Sequence, residues 1–552
     1  MRDPLATRDG WSHRGEAVTL TGLWIVLVIG FLPAFYYATQ IPYSIFDDFS
    51  EWRYVRLFSS HDYLFQSLRQ LFLRLEPGRY RPTDTLYLAT SYLFFGTAPA
   101  LAHLARLCLD LAAVCLTYPI VTGGRRERMC SGWAFWLFAA LFLFAPNVPE
   151  ARIGTQEPLV VLFLAANAYV VNRFIFNPQY RLESMSRTSY VCFVAVFALL
   201  SGAKEPAFAP LCVIFVTVLL LNRSDSHRWR VLPLAAIVVF TFVKLVAASG
   251  NSYSTLQTSA PAIVSNGRWI FRECFSTESG WVVPLALLAI PASALTSAAL
   301  RARSVPRSHE ANRRITQLVF LVALYLSLLC MLLLAVQFKT IRYVYPLLYT
   351  YFLILAVAVQ MGLDSQAPTR SPWLHRAALV VLVTFGLYYV GVNGAAWHRQ
   401  WVVQVAARNT EDALLRELTG RLEDGESVIL AKGPSWGVAK YYEGYRPYYF
   451  GVDYDLTPQP TLGDAVYEIR RRGAPYTGAV YLTSTRDESA VGTTAPLRTF
   501  RSSFDDFTMY RFAVRLSAAL SFHRDRKIRE DWGAGGYRFV YELHAIDRRG
   551  DH

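Results

Sequence analysis

Asp47 and Asp48 stand side by side in the stretch IPYSIFDDFSEWRYV, with Glu51 three residues on, directly after an apolar run of membrane-crossing length. A carboxylate costs about 2.5–3.5 kcal/mol at the centre of a bilayer and less at its edge, so acids in such a place read as functional by default. Helix capping accounts for one aspartate, which is favoured at a helix start, but not for two. Like-charge repulsion and partial burial both raise a carboxyl's proton affinity, so one of the pair can serve as a base near neutral pH and take a proton from a hydroxyl.

Four further stretches carry charge at apolar borders. In PGRYRPTDTLYLATSYLFFG, Arg79 and Arg81 are held beside prolines, a rigid setting for guanidinium groups that grip phosphate oxygens or, equally, ordinary lipid headgroups. APNVPEARIGTQEPL places Glu150, Arg152 and Glu157 in one short loop, which either ties two helices together or lines a cavity. In SGAKEPAF, Lys204 and Glu205 interrupt an apolar stretch; adjacent helix positions do not face each other, so each is expected to find a separate partner. FKTIRYVYPLL opens an apolar run with Lys339, Arg342, Tyr343 and Tyr345. That mixture suits a polyprenyl-phosphate headgroup, and it also suits a plain membrane belt. Arg106 and Asp110, four apart, read as a structural ion pair, and His103 as a packing residue.

The elements that must position these residues follow from composition. Of 552 residues, 53% are hydrophobic and only 17% charged, and the mean hydropathy is +0.25, which describes a polytopic membrane protein. About eleven crossings are expected, near 19–39, 98–121, 131–146, 157–173, 188–202, 206–221, 231–248, 281–300, 315–336, 343–362 and 377–396. The loops GGRRER, RFIFNPQYRLESMSR, NRSDSHRWR, RARSVPRSHEANRR and DSQAPTRSPWLHR are all basic, which sets the N-terminus in the cytoplasm and the C-terminus outside. The organisation expected is a transmembrane module over 1–396, with a first outer loop at 40–97, and an extracytoplasmic α/β domain over 397–552.

Within the first outer loop, YLFQSLRQLFLRL has the period of a helix lying in the membrane interface. In the C-terminal part, NTEDALLRELTGRLEDGE reads as a capped helix, SVILAKG and TGAVYLTS as buried strands with TLGDAVYEIRRRG as a helix between them, and FTMYRFAV and YRFVYELHAI as later strands.

The formal charge of +14 comes largely from arginine clusters between apolar runs, so it argues orientation rather than nucleic-acid binding. Seven cysteines without a CxxC spacing support neither a disulfide framework nor a zinc site. No cofactor is required by any motif; a divalent metal is compatible with paired carboxylates, though no spacing demands one.

Taken in order along the chain, the acidic pair after the first apolar run, the GRYRPTDTLY segment, the EARIGTQEPL loop, the KEPAF break and the late RYVYP run resemble the GT-C superfamily of multi-pass glycosyltransferases. The resemblance is to bacterial members related to the protein mannosyltransferases and the aminoarabinose transferase of lipid A, and it covers most of residues 20–362. It implies a polyprenyl-phosphate sugar as donor and a hydroxyl-bearing glycan, lipid or protein as acceptor. It implies further that Asp48 or Asp47 is the catalytic carboxylate, and that Arg342, with Arg79 and Arg81, holds the lipid-linked phosphate. Glu150, Arg152, Glu157, Lys204 and Glu205 would line the sugar or acceptor side. The transfer expected is inverting, with the aspartate as base. The rivals are a glycan polymer ligase, a lipid-linked sugar transporter or flippase, and a non-catalytic cell-envelope assembly protein.

Overall fold

In a bilayer no water satisfies backbone groups, so long apolar runs close their own hydrogen bonds as helices. The computed structural model follows that rule: among the described residues up to Glu423 the regular elements are all helices, joined by turns, and the strands come after. The described residues are 28, 30–42, 81–95, 98–123, 131–145, 148–154, 156–176, 182, 185–221, 229–248, 259–275, 309–335, 341–365, 372–423, 427–431, 458–459, 479–484, 497–501 and 540–545. The helices are α1 (30–38), α2 (Pro82–Phe95), α3 (Pro99–Thr122), α4 (Ser131–Leu143), α5 (Val148–Arg152), α6 (Glu157–Val170) and α7 (Arg187–Ser201). They continue with α8 (Phe208–Leu221), α9 (Leu232–Ala248), α10 (Ala260–Phe275), α11 (His309–Ala335), α12 (Tyr345–Ser365) and α13 (Pro372–Glu423). A π turn, Val171–Ile175, extends α6, and short 3-10 turns, Glu205–Ala207 and Ile341–Val344, lead into α8 and α12.

Among the described residues, five helical segments are long and apolar enough to cross a membrane: Pro99–Thr122, Glu157–Ile175, Trp229–Val246, Asn312–Leu334 and Arg342–Leu363. Gly132–Leu143, Arg187–Ser201, Glu205–Leu221 and Val380–Gly394 are apolar over shorter lengths. The chain is an α-helical membrane protein of several crossings. The run expected at 281–300 and the interfacial helix in the first outer loop lie outside the described residues.

The crossings are not equivalent. Of the apolar window in Arg342–Leu363, 89% is buried within the protein, against 22% for Trp229–Val246. Helix α12 is therefore the central post, and among the described spans α9 is the one least covered by protein. Phe138 and Phe142 of α4 meet Tyr349 edge-on, with ring centres 5.7 and 5.6 Å away, and Phe142 stacks on Tyr345 at 5.1 Å. Such aromatic pairs add about 0.5–1.5 kcal/mol each beyond their buried area.

Helix α3 begins at Pro99 and ends at Gly123, whose φ of 70° lies where glycine alone is free of strain. Its last carbonyls are capped from another helix: Arg314 donates to Val121 and Thr122 at 3.0 and 3.1 Å, and Gln317 donates to Ile120 at 2.8 Å.

The segment expected to start a separate capped helix near residue 409 does not start one. Asn409 and Thr410 lie inside α13, and the Thr410 hydroxyl bonds back to the Ala406 carbonyl at 2.8 Å instead of capping forward. At 1.5 Å per residue the 52 residues of α13 span about 78 Å, and the expected boundary at 396/397 falls within this one element.

Beyond α13 come β1 (Ser427–Ala431), β2 (Pro458–Gln459), β3 (Ala479–Ser484), β4 (Arg498–Arg501) and β5 (Val540–Ala545), in the order β2-β1-β3-β5-β4. The first three are parallel and β5 runs antiparallel to both neighbours; Val428 faces Val480, and Leu482 faces Leu543. SVILAKG and TGAVYLTS thus supply adjoining strands, and YRFVYELHAI supplies β5, while TLGDAVYEIRRRG and FTMYRFAV lie outside the described residues. Arg498 on β4 reaches Glu417 of α13, which also accepts from Arg421 at 2.9 Å, so the sheet edge is tied to the long helix.

Candidate functional site

One local design recurs at four helix starts. Arg81–Pro82, Glu157–Pro158, Glu205–Pro206 and Tyr345–Pro346 each put proline in a first turn, where its fixed φ suits the helix and its missing N–H would have had no partner anyway. Asp84, Glu157 and Glu205 occupy first turns as well, and the positive end of the helix dipole favours acids there. The fold brings these starts together.

Arg81 is the centre of the assembly. Its Nε donates to Glu205 Oε1 and Oε2 at 2.8 and 2.9 Å, and its Nη2 donates to Glu205 Oε2 at 2.6 Å. Nη1 donates to Gln156 Oε1 at 2.6 Å, and Gln156 passes the connection on through Nε2 to Asp84 Oδ2 at 2.8 Å. Lys204 donates to Glu157 and lies 4.1 Å from the centre of the Tyr343 ring, within cation–π range. Arg342 comes beside Glu157: a Cβ added at Gly154 would stand 2.7 Å from Glu157 Oε2 and 3.3 Å from Arg342 Cδ. The backbone at Gly202 makes the junction possible. Thr83 donates from its N–H to the Gly202 carbonyl at 3.1 Å and from its hydroxyl to Leu199 at 2.8 Å, and a Cβ on Gly202 would meet Thr83 Oγ1 at 2.6 Å.

The electrostatics are uneven. Glu205 beside Arg81 keeps that guanidinium charged against the opposing effect of burial. Burial pushes the Asp84 carboxyl up, to about 7; Glu157 adds to the rise, while Arg81, Lys204 and the Gln156 hydrogen bond oppose it. Arg81 and Glu205 keep 12% and 29% of their side-chain surface, so solvent or a ligand can reach the group.

Of the residues singled out from sequence, Arg81, Glu157, Lys204, Glu205, Arg342 and Tyr343 meet here. Lys204 and Glu205 take separate partners, Lys204 from extended backbone and Glu205 from the first position of the 3-10 turn. Asp47, Asp48, Arg79 and Lys339 lie outside the described residues, as does the side chain of Glu150. Sequence reasoning passed over Asp84 and Gln156; the signal was present, because both stand at proline-marked helix starts next to residues that were chosen.

Arg152 belongs to a different group. Its Nε stands 3.0 Å from Asp110 Oδ2, with both side chains fully buried, a close ion pair though off-line for a hydrogen bond. Tyr345 donates to the other Asp110 oxygen, and the guanidinium lies 5.3 Å from the Phe31 ring and 5.8 Å from the Phe142 ring. The expected pairing of Arg106 with Asp110 is therefore corrected. The partner of Asp110 comes from α5, and Arg106 Nη1 donates to the Ile153 carbonyl at 2.6 Å, with His103 Nδ1 3.4 Å away. Arg106 Nη1 is directed to that backbone carbonyl, and Asp110 pairs with the cation whose flat face the aromatic rings cover.

Among the described residues no three His, Cys, Asp or Glu side chains gather as a metal site. No family model matches the sequence, and no curated protein matches it significantly. Among solved structures the chain is similar to ArnT from Cupriavidus metallidurans. For the apo state the TM-score is 0.45 at 13% identity, over 85% of this chain and 94% of that one. For ArnT bound to undecaprenyl phosphate the TM-score is 0.48 at 12% identity, over 96% and 99%.

Proposed function

We propose that this protein is an integral-membrane glycosyltransferase of GT-C type, moving a sugar from a polyprenyl-phosphate donor to a hydroxyl on a glycan, lipid or protein acceptor. The observation that supports it is the meeting of Arg81, Lys204 and Arg342, from three distant segments, at the starts of apolar helices. A charged headgroup attached to a membrane-buried tail is the ligand such a border group suits. Flat guanidiniums match phosphate oxygens, and the Tyr343 ring lies against the Lys204 ammonium.

In this reading the reaction takes place on the extracytoplasmic side, with the N-terminus in the cytoplasm and residues 397–552 outside. Asp48, or Asp47, takes the proton of the acceptor hydroxyl as its oxygen attacks the anomeric carbon. The bond to the phosphate oxygen breaks on the opposite face, and the configuration inverts. Arg81 and Arg342 stabilise the departing phosphate, while Glu157 and Glu205 keep the cations oriented until it forms.

The test is reconstitution. Purified protein in liposomes carrying a polyprenyl-phosphate sugar is expected to release polyprenyl phosphate when an acceptor is supplied, and the Asp47→Asn, Asp48→Asn double variant is expected to insert normally and release none. Full activity in the double variant removes the aspartate from the mechanism. No release by the wild type with any acceptor pool drawn from the native envelope rejects the transferase reading.

A further inference from the structure

Among the described residues, three cations and three carboxyl groups meet in the Arg81 group: Arg81, Lys204 and Arg342 against Asp84, Glu157 and Glu205. With every carboxyl ionised the charges cancel, and a balanced group has no surplus charge to offer a phosphate. An arriving anion needs one carboxyl to become neutral.

The geometry selects which one. Glu205 is held by three hydrogen bonds from Arg81, and Glu157 by the Lys204 ammonium. Asp84 accepts at Oδ2 only from the neutral amide of Gln156, while Oδ1 is buried without a hydrogen-bond partner and the residue is 4% exposed. Among the described residues, the charged groups around it come from several elements. Arg81 precedes it on the same segment; Glu157 and Gln156 come from the start of α6; Lys204 and Glu205 come from the turn before α8; Arg342 and Tyr343 come from the turn before α12. Helix α7 meets α2 through the carbonyls of Leu199 and Gly202, and on α3 Arg106 and Asp110 are engaged with Ile153 and Arg152.

We propose that Asp84 takes up a proton from solvent when an anionic phosphate binds, turning a balanced group into one of net charge +1, and that this uptake sets the pH range in which the lipid phosphate is held. No ligand bond changes in the step: a carboxylate and a proton become a carboxylic acid. The inference rests on the polyprenyl-phosphate reading given above. Burial, the largest of the influences that together hold the Asp84 carboxyl at about 7, places the change near neutral pH. Ligand affinity is then flat below pH 7 and falls by up to about tenfold per pH unit above it. The positioning role is particular to Asp84, because Gln156 couples its charge directly to the guanidinium that would hold the phosphate.

The experiment uses full-length protein in detergent and a prenyl methyl phosphodiester, whose single charge does not change across the range studied. Isothermal titration in two buffers of different ionisation heat counts the protons taken up at pH 6 and pH 8. The wild type is expected to take up about one proton per ligand at pH 8 and far less at pH 6, and Asp84→Asn to bind with no uptake and a flat affinity. Binding at pH 8 without uptake, or a slope that persists in Asp84→Asn, overturns the proposal while leaving the phosphate reading intact. If the wild type binds the probe at no pH, the phosphate reading itself falls, and this inference with it. Should Asp84→Asn not fold, Gln156→Leu serves: losing the amide bond that favours the carboxylate moves the onset of weakening to higher pH, and an unchanged onset overturns the proposal.

Discussion

The Arg81 group and the Asp110–Arg152 pair are built from the same residue types and do opposite things. Asp110 and Arg152 are both fully buried, matched one to one, and closed off by Tyr345, Phe31 and Phe142. The Arg81 group keeps part of its surface, shares three cations among three acids, and leaves Asp84 without a cation of its own. A sealed, balanced pair can only hold helices in register, because nothing can reach it and nothing is left over. An accessible group with one weakly satisfied acid can exchange a proton or a ligand at little cost.

The largest expected effect probes the sealed pair. Asp110→Ala or Arg152→Ala strands a charge in the interior and should destabilise the protein by about 3–5 kcal/mol, seen as loss of the monodisperse peak and a lower Tm in detergent. Replacing both by leucine should recover most of that loss, since a buried pair exchanged for apolar side chains is often near neutral. A double variant that is stable yet inactive would break the comparison, for it would make the sealed pair part of the chemistry.

Arg81→Ala is the counterpart. Glu205 keeps 29% of its side-chain surface and can be rehydrated, so folding should change little, whereas sugar transfer should drop by about 10²–10³-fold, the usual cost of removing one aimed donor from a transition state. Arg81→Lys should rescue little, because one ammonium cannot serve Glu205 and Gln156 in the fork geometry of the guanidinium. Equal losses of Tm in Arg81→Ala and Arg152→Ala would erase the distinction between the two clusters.

Asp84 supplies a pH-dependent contrast. Its carboxyl is raised in the folded protein, so the fold binds the proton more tightly than the unfolded chain does, and stability falls as pH rises from about 4 through about 7. Asp84→Asn removes that penalty. The variant should match the wild type near pH 4 and exceed it at pH 8 by up to about 4 kcal/mol, in thermal unfolding followed by tryptophan fluorescence. A difference of opposite sign at pH 8 would mean that the ionised carboxylate is better accommodated than its partners suggest.

What could be read from the chain beforehand follows from how local each signal is. Apolar runs of bilayer length fix helices by themselves, so α3, α6, α9, α11 and α12 fall where the hydropathy puts them. The two central parallel strands are similarly announced by SVILA and AVYLTS. The continuity of α13 was not legible, because Asn409, Thr410, Glu411 and Asp412 carry a capping pattern that only the surrounding helix overrides. Within the site, Lys204 and Glu205 were legible as residues needing separate partners, though the reason differs from the helical one: Lys204 has extended backbone and Glu205 opens the 3-10 turn after it. The mispairing of Arg106 with Asp110 shows the limit of that logic: an i,i+4 spacing permits a contact, and a second arginine 42 positions along outcompeted it once the aromatic rings had formed a slot for its flat face. Asp84 was hidden by its neighbour Arg81, which offered a sufficient account of the same stretch.

The smallest effect expected sharpens the comparison from outside both clusters. Arg314 and Gln317 cap the C-terminal end of α3, the helix whose middle carries Asp110 and whose Arg106 donates to the Ile153 carbonyl, one residue before the Gly154 that lies beside Glu157 and Arg342. Arg314→Ala removes donors from two carbonyls beside Gly123, and should lower stability by about 1–2 kcal/mol, while leaving the apparent KM for the lipid donor and its pH profile unchanged. The two readouts must separate. If KM or its pH dependence moves with Arg314→Ala, the Arg81 group responds to strain anywhere along α3, and its balance of charge is a property of the whole bundle and not of the four helix starts that meet there.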